Sequence, residues 1–210
     1  MNAQPAVIVL AAGRGSRFLG ADHKLAQRLG AATVLATTLR NAIASHLQVV
    51  VVTTAAFADL ARRSIAAREV VVLPEVGANP ALGMGYSIAA GVGARPEASG
   101  WVILPGDMPL VQTSTLLAVA RQLATHPIVY AQHRGRRGHP VGFAAELYSE
   151  LITLSGDEGA RRLVARYPAF GLELEDAGVL IDIDTEADLE SLRAVPMAGH
   201  ALHAPGSLRR

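Results

Sequence analysis

Short apolar runs alternate along the first half of the chain with longer, alanine-rich segments whose apolar residues recur at helical spacing. The apolar runs predict strands at residues 7–10, 49–53, 69–73 and 101–104. The amphipathic segments predict helices at residues 32–45, 57–67, 82–92 and 113–124. This alternation indicates βαβ crossovers, so it predicts an α/β domain with a mainly parallel sheet and helices on both faces. Because ligands bind such sheets where strands end, we expect the loops after Leu10, Leu73 and Leu104 to share one functional edge.

The later part of the chain is less regular. Its apolar runs predict strands at residues 127–132, 140–143, 170–174 and 179–183, and its amphipathic segments predict helices at residues 157–166 and 186–193. A basic turn, residues 133–138, separates the first two of these strands. Since no linker interrupts the pattern, we expect one domain over residues 1–195, followed by a flexible tail at residues 196–210.

Composition narrows the class of protein. Hydrophobic residues make up 50% of the 210 residues and charged residues 18%, which favours a globular chain. A net charge of +1 argues against a surface that coats nucleic acid. The absence of cysteine excludes disulfides, thiolate metal sites and a cysteine nucleophile. No leader pattern and no apolar stretch of about 20 residues is present, so we expect a soluble cytoplasmic protein without a membrane partner.

The first candidate site follows the opening strand. The apolar run at residues 7–10 breaks into small residues and two glycines, with Arg14, Arg17 and Lys24 close behind. Glycines let the backbone turn sharply, and successive N–H groups in such a turn form a concave anion site. The segment is neither a P-loop nor a complete dinucleotide-binding turn, because Phe18 stands where the third glycine belongs. An ordinary tight turn is the alternative, but the three cations favour the phosphates of a nucleotide.

Asp107 is the second candidate, in the segment Leu104-Pro-Gly-Asp-Met-Pro-Leu110 that ends a predicted buried strand. A carboxylate at that edge can hold Mg²⁺, which prefers oxygen ligands and usually combines one or two carboxylates with substrate phosphates. Alternatively, Asp107 stabilises the turn or caps the helix that begins near Thr113. The cationic loop at the same edge favours the metal interpretation.

A third acidic segment lies near the end of the domain. On the predicted strand at residues 179–183 and its extension, Asp182 and Asp184 alternate with apolar residues and would share one face. Asp184 could therefore complete a metal shell begun by Asp107. The alternative is that Asp184 or Thr185 caps the last helix, with Asp188 in its first turn, and both roles can hold together.

Several motifs in order resemble one family. These are Leu10-Ala-Ala-Gly-Arg-Gly-Ser-Arg17, Pro105-Gly-Asp-Met-Pro109, Gly138-His-Pro140, Gly156-Asp-Glu-Gly-Ala-Arg161 and Asp182-Ile-Asp-Thr185. Over roughly residues 6–194 the chain resembles MobA-like nucleotidyltransferases, and most of all the molybdenum cofactor cytidylyltransferase branch. The resemblance implies a Rossmann-like three-layer α/β/α fold of the nucleotide-diphospho-sugar transferase type. It also implies Mg²⁺-dependent transfer of CMP from CTP to the terminal phosphate of molybdopterin-type molybdenum cofactor, with release of pyrophosphate. An apo-molybdoenzyme that receives the product is a further implied partner.

The resemblance also implies roles for individual positions. The catalytic positions are Arg17, Lys24 and Asp107. The nucleotide-binding positions are Leu10, Ala11, Ala12, Gly13, Arg14, Gly15, Ser16, Arg17, Lys24, Asn79, Gly83, Met84, Ser87, Pro105 and Gly106. The positions nearer the acceptor are His139 and Asp157, to which the basic turn adds Arg134, and the metal ligands are Asp107 and Asp184. Alternatively, the glycines within residues 83–87 only mark the start of a helix, and His139 has a structural role. The arginines of the basic turn would then be surface charges exposed to solvent.

Two sequence details bear on specificity. Leu10-Ala-Ala-Gly13 resembles the cytidylyl branch, whereas the guanylyl branch typically reads Leu-Ala-Gly-Gly, and the methyl group of Ala12 would crowd a larger purine. The segment from Arg17 to Lys24 is longer than is usual in the family, and Thr185 is followed by Glu186 instead of proline. The longer segment leaves the path of Lys24 to the phosphates open, whereas Glu186 after Thr185 is still compatible with the start of a helix.

Other functions stay open from sequence. One is nucleotidyl transfer to another phosphorylated small molecule, such as a sugar or polyol phosphate, or guanylyl transfer from GTP. Another is a non-catalytic carrier that binds finished molybdenum cofactor. The joint presence of the loop cations and Asp107 favours an enzyme, and the missing third glycine disfavours a nicotinamide oxidoreductase.

Overall fold

The protein is described by a computed structural model that covers residues 3–13, 18, 23–74 and 83–194. The strands are β1 (Ala6–Ala11), β2 (Arg28–Leu29), β3 (Ala32–Thr33), β4 (Gln48–Thr54), β5 (Val70–Leu73), β6 (Gly100–Pro105), β7 (Ile128–His133), β8 (Arg136–Ala144) and β9 (Ala169–Glu173). The α-helices are α1 (Val34–Ile43), α2 (Ala55–Arg62), α3 (Met84–Gly93), α4 (Thr113–Gln122), α5 (Tyr148–Leu151), α6 (Arg161–Arg166) and α7 (Glu186–Ala194). Short 3₁₀ turns occupy Lys24–Ala26, Ala67–Glu69, Ala145–Leu147 and Ala177–Leu180.

A seven-stranded sheet with the order β5-β4-β1-β6-β8-β7-β9 forms the centre of the molecule. Its strands pair in parallel except for β8, which runs antiparallel to both β6 and β7. The predicted mainly parallel sheet is therefore confirmed. Strands β2 and β3 form a separate antiparallel ribbon, which the sequence pattern did not predict.

Both faces of the sheet are covered, as the continuous apolar strands require. Side chains alternate along β1, so Val7 and Val9 enter a core shared with α1 and α4, whereas Ile8 enters a core shared with α3 and α5. All three valine and isoleucine side chains are fully buried. The three-layer α/β/α arrangement predicted from sequence is confirmed, and it holds the strand ends rigidly.

Most predicted elements are present with shifted ends, but the strand predicted at residues 179–183 is wrong. Residues 177–180 instead form a 3₁₀ turn, which begins where the carboxylate of Asp176 accepts a hydrogen bond from the N–H of Gly178 at 3.0 Å. A Cβ atom on Gly178 would lie 2.3 Å from the carbonyl oxygen of Leu110, and one on Gly138 would lie 2.0 Å from that of Val179. This segment therefore packs its backbone closely against neighbouring backbone instead of adding a strand.

The helix predicted at residues 157–166 begins only at Arg161. Gly156 and Gly159 have φ values of +69° and +59°, outside the right-handed helical region, so the residues around them form turns. The helix predicted at residues 57–67 ends at Arg62. The last helix, predicted at residues 186–193, is confirmed as α7.

The predicted basic turn at residues 133–138 is the tip of a hairpin. Arg134 and Gly135 have φ values of +50° and +72°, which match the two central positions of a type I′ turn. The carboxylate of Glu173 accepts hydrogen bonds from the backbone N–H groups of both residues. The remaining residues of the basic segment belong to β7 and β8.

The parallel strands of the sheet end at one edge, and β8 begins there because it runs in the opposite direction. The loops that follow β1 and β6 meet at this carboxyl edge, as predicted. The loop after β5 lies outside the described residues, and so does the tail expected at residues 196–210. Of the helices that the structure describes, none has the length and hydropathy required to cross a membrane.

Candidate active site

The turn after β6 is held by three neighbouring elements. The N–H of Gly106 donates a hydrogen bond to the carbonyl of Leu10 at 2.8 Å, which extends the pairing with β1. The hydroxyl of Thr38, on α1, donates to the carbonyl of Gly106 at 2.9 Å. The carbonyl of Asp107 accepts from the N–H of Ile183 at 3.1 Å. The turn therefore presents Asp107 at a fixed place on the carboxyl edge.

An ammonium group lies between two carboxylates at this edge. The Nζ atom of Lys24 lies 2.6 Å from Oδ2 of Asp107 and 2.8 Å from Oδ1 of Asp184. The three side chains are 12%, 17% and 21% exposed, so the cluster is largely sheltered from solvent. Residues that are as much as 160 positions apart in sequence thus form one charged site.

Burial and charge act in opposite directions on Lys24. Burial alone lowers the pKa of its ammonium, but the charges and hydrogen bonds of Asp107 and Asp184 outweigh burial and raise that pKa above its ordinary value. Lys24 is therefore an ammonium throughout the physiological pH range. Its ammonium therefore contacts two carboxylates at once.

Lys24 is positioned by the residue before it. The ring of His23 accepts a hydrogen bond at Nδ1 from the N–H of Leu25 at 3.2 Å, and its Nε2 lies 3.1 Å from the carbonyl oxygen of Gly13. The ring also packs against Phe57, with 4.4 Å between the ring centroids. His23 thus ties the lysine turn to the loop after β1, a role for which the sequence pattern gave no signal.

The capping alternative for the last acidic segment applies to Thr185. Thr185 caps α7, because its hydroxyl accepts from the N–H of Asp188 at 3.2 Å while Oδ2 of Asp188 accepts from the N–H of Thr185 at 2.8 Å. Asp184 is left to pair with Lys24. The expectation that Asp182 and Asp184 lie on one strand face is wrong, since no strand forms there.

The alternative role for Asp107, as the cap of α4, belongs to another residue. Asp176 is 3% exposed, and its Oδ2 accepts from the N–H of Gln112 at 2.9 Å and from the hydroxyl of Thr115 at 2.6 Å. Asp176 thus stabilises the start of α4 from more than sixty positions away. Sequence analysis missed this residue, although its spacing to Gly178 is a local turn signal.

The donor set fits a magnesium ion that arrives with a phosphorylated substrate. Among the described residues, no group of three or more acidic, histidine or cysteine side chains could hold a metal by itself. Two carboxylates, Asp107 and Asp184, converge instead. Mg²⁺ is commonly bound by one or two carboxylates together with substrate phosphates and water, so these residues suit it.

The described part of the loop after β1 contains its first four predicted positions. Leu10, Ala11 and Ala12 lie at or just beyond the end of β1, and the hydroxyl of Thr53 fixes the carbonyl of Ala11 at 3.1 Å. Gly13 is exposed, and among the described residues no heavy atom other than those of its chain neighbours lies within 4 Å of the place a Cβ would occupy. The predicted positions Arg14, Gly15, Ser16 and Arg17, and likewise Asn79, lie outside the described residues.

The start of α3 packs against a second loop. A Cβ on Gly83 would lie 2.3 Å from Oδ1 of Asp157 and 2.4 Å from the backbone of Gly156, so only glycine permits this approach. The N–H of Gly85 donates to the carbonyl of Gly156 at 2.8 Å. Met84 beside it is 53% exposed. Asp157, which the resemblance placed near the acceptor, therefore lies beside the segment predicted to line the nucleotide.

His139 lies near the start of β8, on the carboxyl edge. Its Nδ1 atom is buried and has no hydrogen-bond partner among the described residues. Burial lowers the pKa of its imidazole below the ordinary value, although the charges of Asp107 and Asp182 act to raise it. Arg134 is five residues away, at the hairpin tip before the start of β8. The structure thus places the three predicted acceptor residues in three different parts of this edge.

A mainly parallel sheet that is covered by helices on both faces and ends at one edge in the acidic turn after β6 defines an α/β protein with a Rossmann-like fold of the nucleotide-diphospho-sugar transferase type. A match to the MobA-like NTP transferase domain extends over residues 7–170. The chain belongs to this family, and it is a nucleotidyltransferase by that membership.

Similar proteins cover almost the whole chain. The purine catabolism protein PucB of Bacillus subtilis is 30% identical over 203 residues, which are 89% of this chain and 94% of PucB. The crystal structure of Rv0371c from Mycobacterium tuberculosis has a TM-score of 0.77 and 30% identity, and the match covers 91% of this chain and 98% of Rv0371c. A structure of Rv0371c in complex with manganese is also similar, with a TM-score of 0.73, 28% identity, and 90% and 97% of the two chains covered.

Proposed function

We propose that this protein transfers CMP from CTP to the terminal phosphate of molybdopterin-type molybdenum cofactor and releases pyrophosphate. The observation that carries the proposal is the contact of Lys24 with Asp107 and Asp184 at the edge where β1 and β6 end. One cation beside two carboxylates suits a triphosphate that is bound together with a divalent metal ion. The product would pass to an apo-molybdoenzyme.

The chain's own residues supply positioning and charge. The acceptor phosphate is already ionised at neutral pH, so it needs no general base to attack the α-phosphorus of CTP in line, and the bond to pyrophosphate breaks. Lys24, and Arg17 by the resemblance, neutralise charge on the phosphates. Asp107 and Asp184 would hold Mg²⁺, which when bound neutralises phosphate charge. The manganese complex of Rv0371c supports a divalent ion in this family.

The preference for CTP rests on the resemblance of Leu10-Ala-Ala-Gly13 to the cytidylyl branch. The side chain of Ala12 is 6% exposed and packs in the core shared with α3. Its methyl group therefore lies in this core, and the preference for CTP is proposed from the resemblance of the segment alone. Gly83, Met84 and Ser87 at the start of α3 are the proposed neighbours of the sugar and base.

On the acceptor side, His139 is the proposed contact nearest the reacting phosphate. It lies on the same edge as Asp107, and its neutral imidazole can donate one hydrogen bond to an oxygen of the acceptor. Arg134 and the neighbouring arginines of the hairpin extend a positive surface outward from that point. Such an arrangement suits an acceptor that carries a phosphate near the site and further polar groups beyond it.

The deciding experiment measures pyrophosphate release with Mg²⁺ and each of CTP, GTP, ATP and UTP. The acceptors are molybdopterin-type cofactor, a hexose 1-phosphate and a polyol phosphate. Release with CTP and molybdopterin-type cofactor supports the proposal. Release confined to GTP would reassign the base, and release with a sugar or polyol phosphate would reassign the acceptor. Cofactor binding without pyrophosphate release from any nucleotide would indicate a carrier.

A further inference from the structure

Lys24 is the only lysine in the sequence, and it lies where its ammonium contacts both carboxylates assigned to the metal. Its Nζ atom is within hydrogen-bond distance of Asp107 and Asp184 at once. A divalent cation that contacts the same two oxygens would lie a few ångströms from this ammonium. Because the cluster is largely shielded from water, the two cations would repel each other at this separation.

We propose that Lys24 is an exchangeable counter-ion. In the nucleotide-free protein it pairs with both carboxylates and keeps divalent metal affinity low, and when a triphosphate binds, its ammonium moves to the phosphates. The metal ion then binds together with the nucleotide instead of before it. This inference rests on the proposed assignment of Asp107 and Asp184 as metal ligands.

The local structure permits such an exchange. The backbone of Lys24 is fixed by the hydrogen bonds of His23 to the N–H of Leu25 and towards the carbonyl of Gly13. Lys24 is therefore held between the turn that bears Asp107 and the loop predicted to bind phosphate. Its flexible four-carbon side chain can redirect a compact ammonium without moving the backbone.

The charges supply the driving force. When Lys24 leaves, the two carboxylates lose one positive charge that lies within 2.8 Å of both. A triphosphate offers the ammonium several negative charges, while the metal ion offers both the carboxylates and the phosphates a doubly charged partner. The ammonium thus exchanges the carboxylates for the phosphates, and the metal ion takes its place beside the carboxylates. Neither carboxylate is left without a cationic partner.

The first test is Mn²⁺ binding without any nucleotide, measured from the electron paramagnetic resonance signal of the free ion. Lys24→Met should bind Mn²⁺ about tenfold or more tightly than the unmodified protein, because the competing charge is gone. Lys24→Arg keeps the charge and should bind as weakly as the unmodified protein. Adding Asp107→Asn to Lys24→Met should abolish the gain.

The outcomes separate the inference from its alternatives. If Lys24→Met binds Mn²⁺ no more tightly, the ammonium does not compete with the metal and the inference fails. If the gain survives Asp107→Asn, the ion binds elsewhere, and the assignment of the carboxylate pair fails with it. Far-ultraviolet circular dichroism of each variant shows whether the fold is retained.

A second measurement needs no substitution. Protein labelled with ¹³C and ¹⁵N only in lysine gives one side-chain Nζ signal, because Lys24 is the only lysine. Millimolar Mg²⁺ alone should leave this signal in place, whereas Mg²⁺ with tripolyphosphate should shift it. Tripolyphosphate carries no base, so the result does not depend on whether CTP is the true substrate. A shift with Mg²⁺ alone, or no shift with tripolyphosphate, would overturn the inference.

Discussion

Asp176 provides the sharpest test of how the carboxyl edge is held together. Its buried carboxylate accepts three hydrogen bonds, from the N–H of Gln112 at 2.9 Å, the hydroxyl of Thr115 at 2.6 Å and the N–H of Gly178 at 3.0 Å. The first two fix the start of α4, and the third fixes the 3₁₀ turn at residues 177–180. Asp176→Ala removes both acceptor oxygens and leaves the three donors without this partner.

The expected loss in the free energy of unfolding follows from those three hydrogen bonds. Hydrogen bonds to a charged group contribute about 1.5–3 kcal/mol each, but the buried carboxylate also loses its hydration, so the sum is not additive. We therefore expect Asp176→Ala to lower the free energy of unfolding by about 3–5 kcal/mol, in the range typical of a broken buried polar network. Thr115→Val removes only one donor and should cost about 1–2 kcal/mol.

Urea unfolding followed by circular dichroism measures both values from the midpoint and slope. Asp182→Ala is the control, because Asp182 is exposed and lies in the same segment, and we expect a change within about 0.5 kcal/mol. A loss below about 1 kcal/mol for Asp176→Ala would refute the argument that this carboxylate holds α4 to the 3₁₀ turn.

Three further predictions concern the site. Asp107→Ala should lower turnover by about 10²-fold or more in the pyrophosphate assay, since it removes a proposed metal ligand, and near-normal turnover would remove Asp107 from the proposed catalytic residues. Gly83→Ala should destabilise the protein by about 1–3 kcal/mol in urea unfolding, because its Cβ would overlap the backbone of Gly156; Gly93→Ala, with open space around it, should be neutral or stabilising. Burial lowers the pKa of the His139 imidazole in the folded protein, so as the pH falls the unfolded chain binds a proton at this residue before the folded protein does. The free energy of unfolding should therefore decrease as the pH drops below about 6.5. His139→Asn should flatten that fall in a series of unfolding curves, and an unchanged pH profile would contradict it.

Local pattern predicted the sheet because its strands are nearly continuous apolar runs. Val7, Ile8 and Val9 are fully buried on both faces of β1, and only a strand between two helical layers has that environment. The same reasoning failed at residues 179–183, where Val179 and Ile183 are equally buried but lie in and after a 3₁₀ turn. Periodicity reports burial, and it does not distinguish a strand from a turn whose backbone packs closely against its neighbours.

The sequence predicted which residues belong to the candidate active site, but it did not predict the contacts between them. The strand-end rule placed Asp107 and the loop after β1 on one edge, which the structure confirms. The contact of Lys24 with both carboxylates joins segments 160 positions apart, so no local pattern predicts it. The roles of His23 and Asp176 have the same origin, because each depends on a partner brought close only by the folded chain.

Hydrogen bonds of the main chain and of the α7 cap place the two site carboxylates, so variants of the carboxylate side chains can be interpreted directly. The carbonyl of Asp107 accepts the N–H of Ile183, the residue before Asp184, so one main-chain hydrogen bond sets the separation of the pair. The cap formed by Thr185 and Asp188 then fixes the backbone that follows. None of these contacts uses the side chain of Asp107 or Asp184. Replacing either carboxylate by an amide therefore leaves the supporting hydrogen bonds intact, and a change in metal binding or turnover reports on the charges themselves.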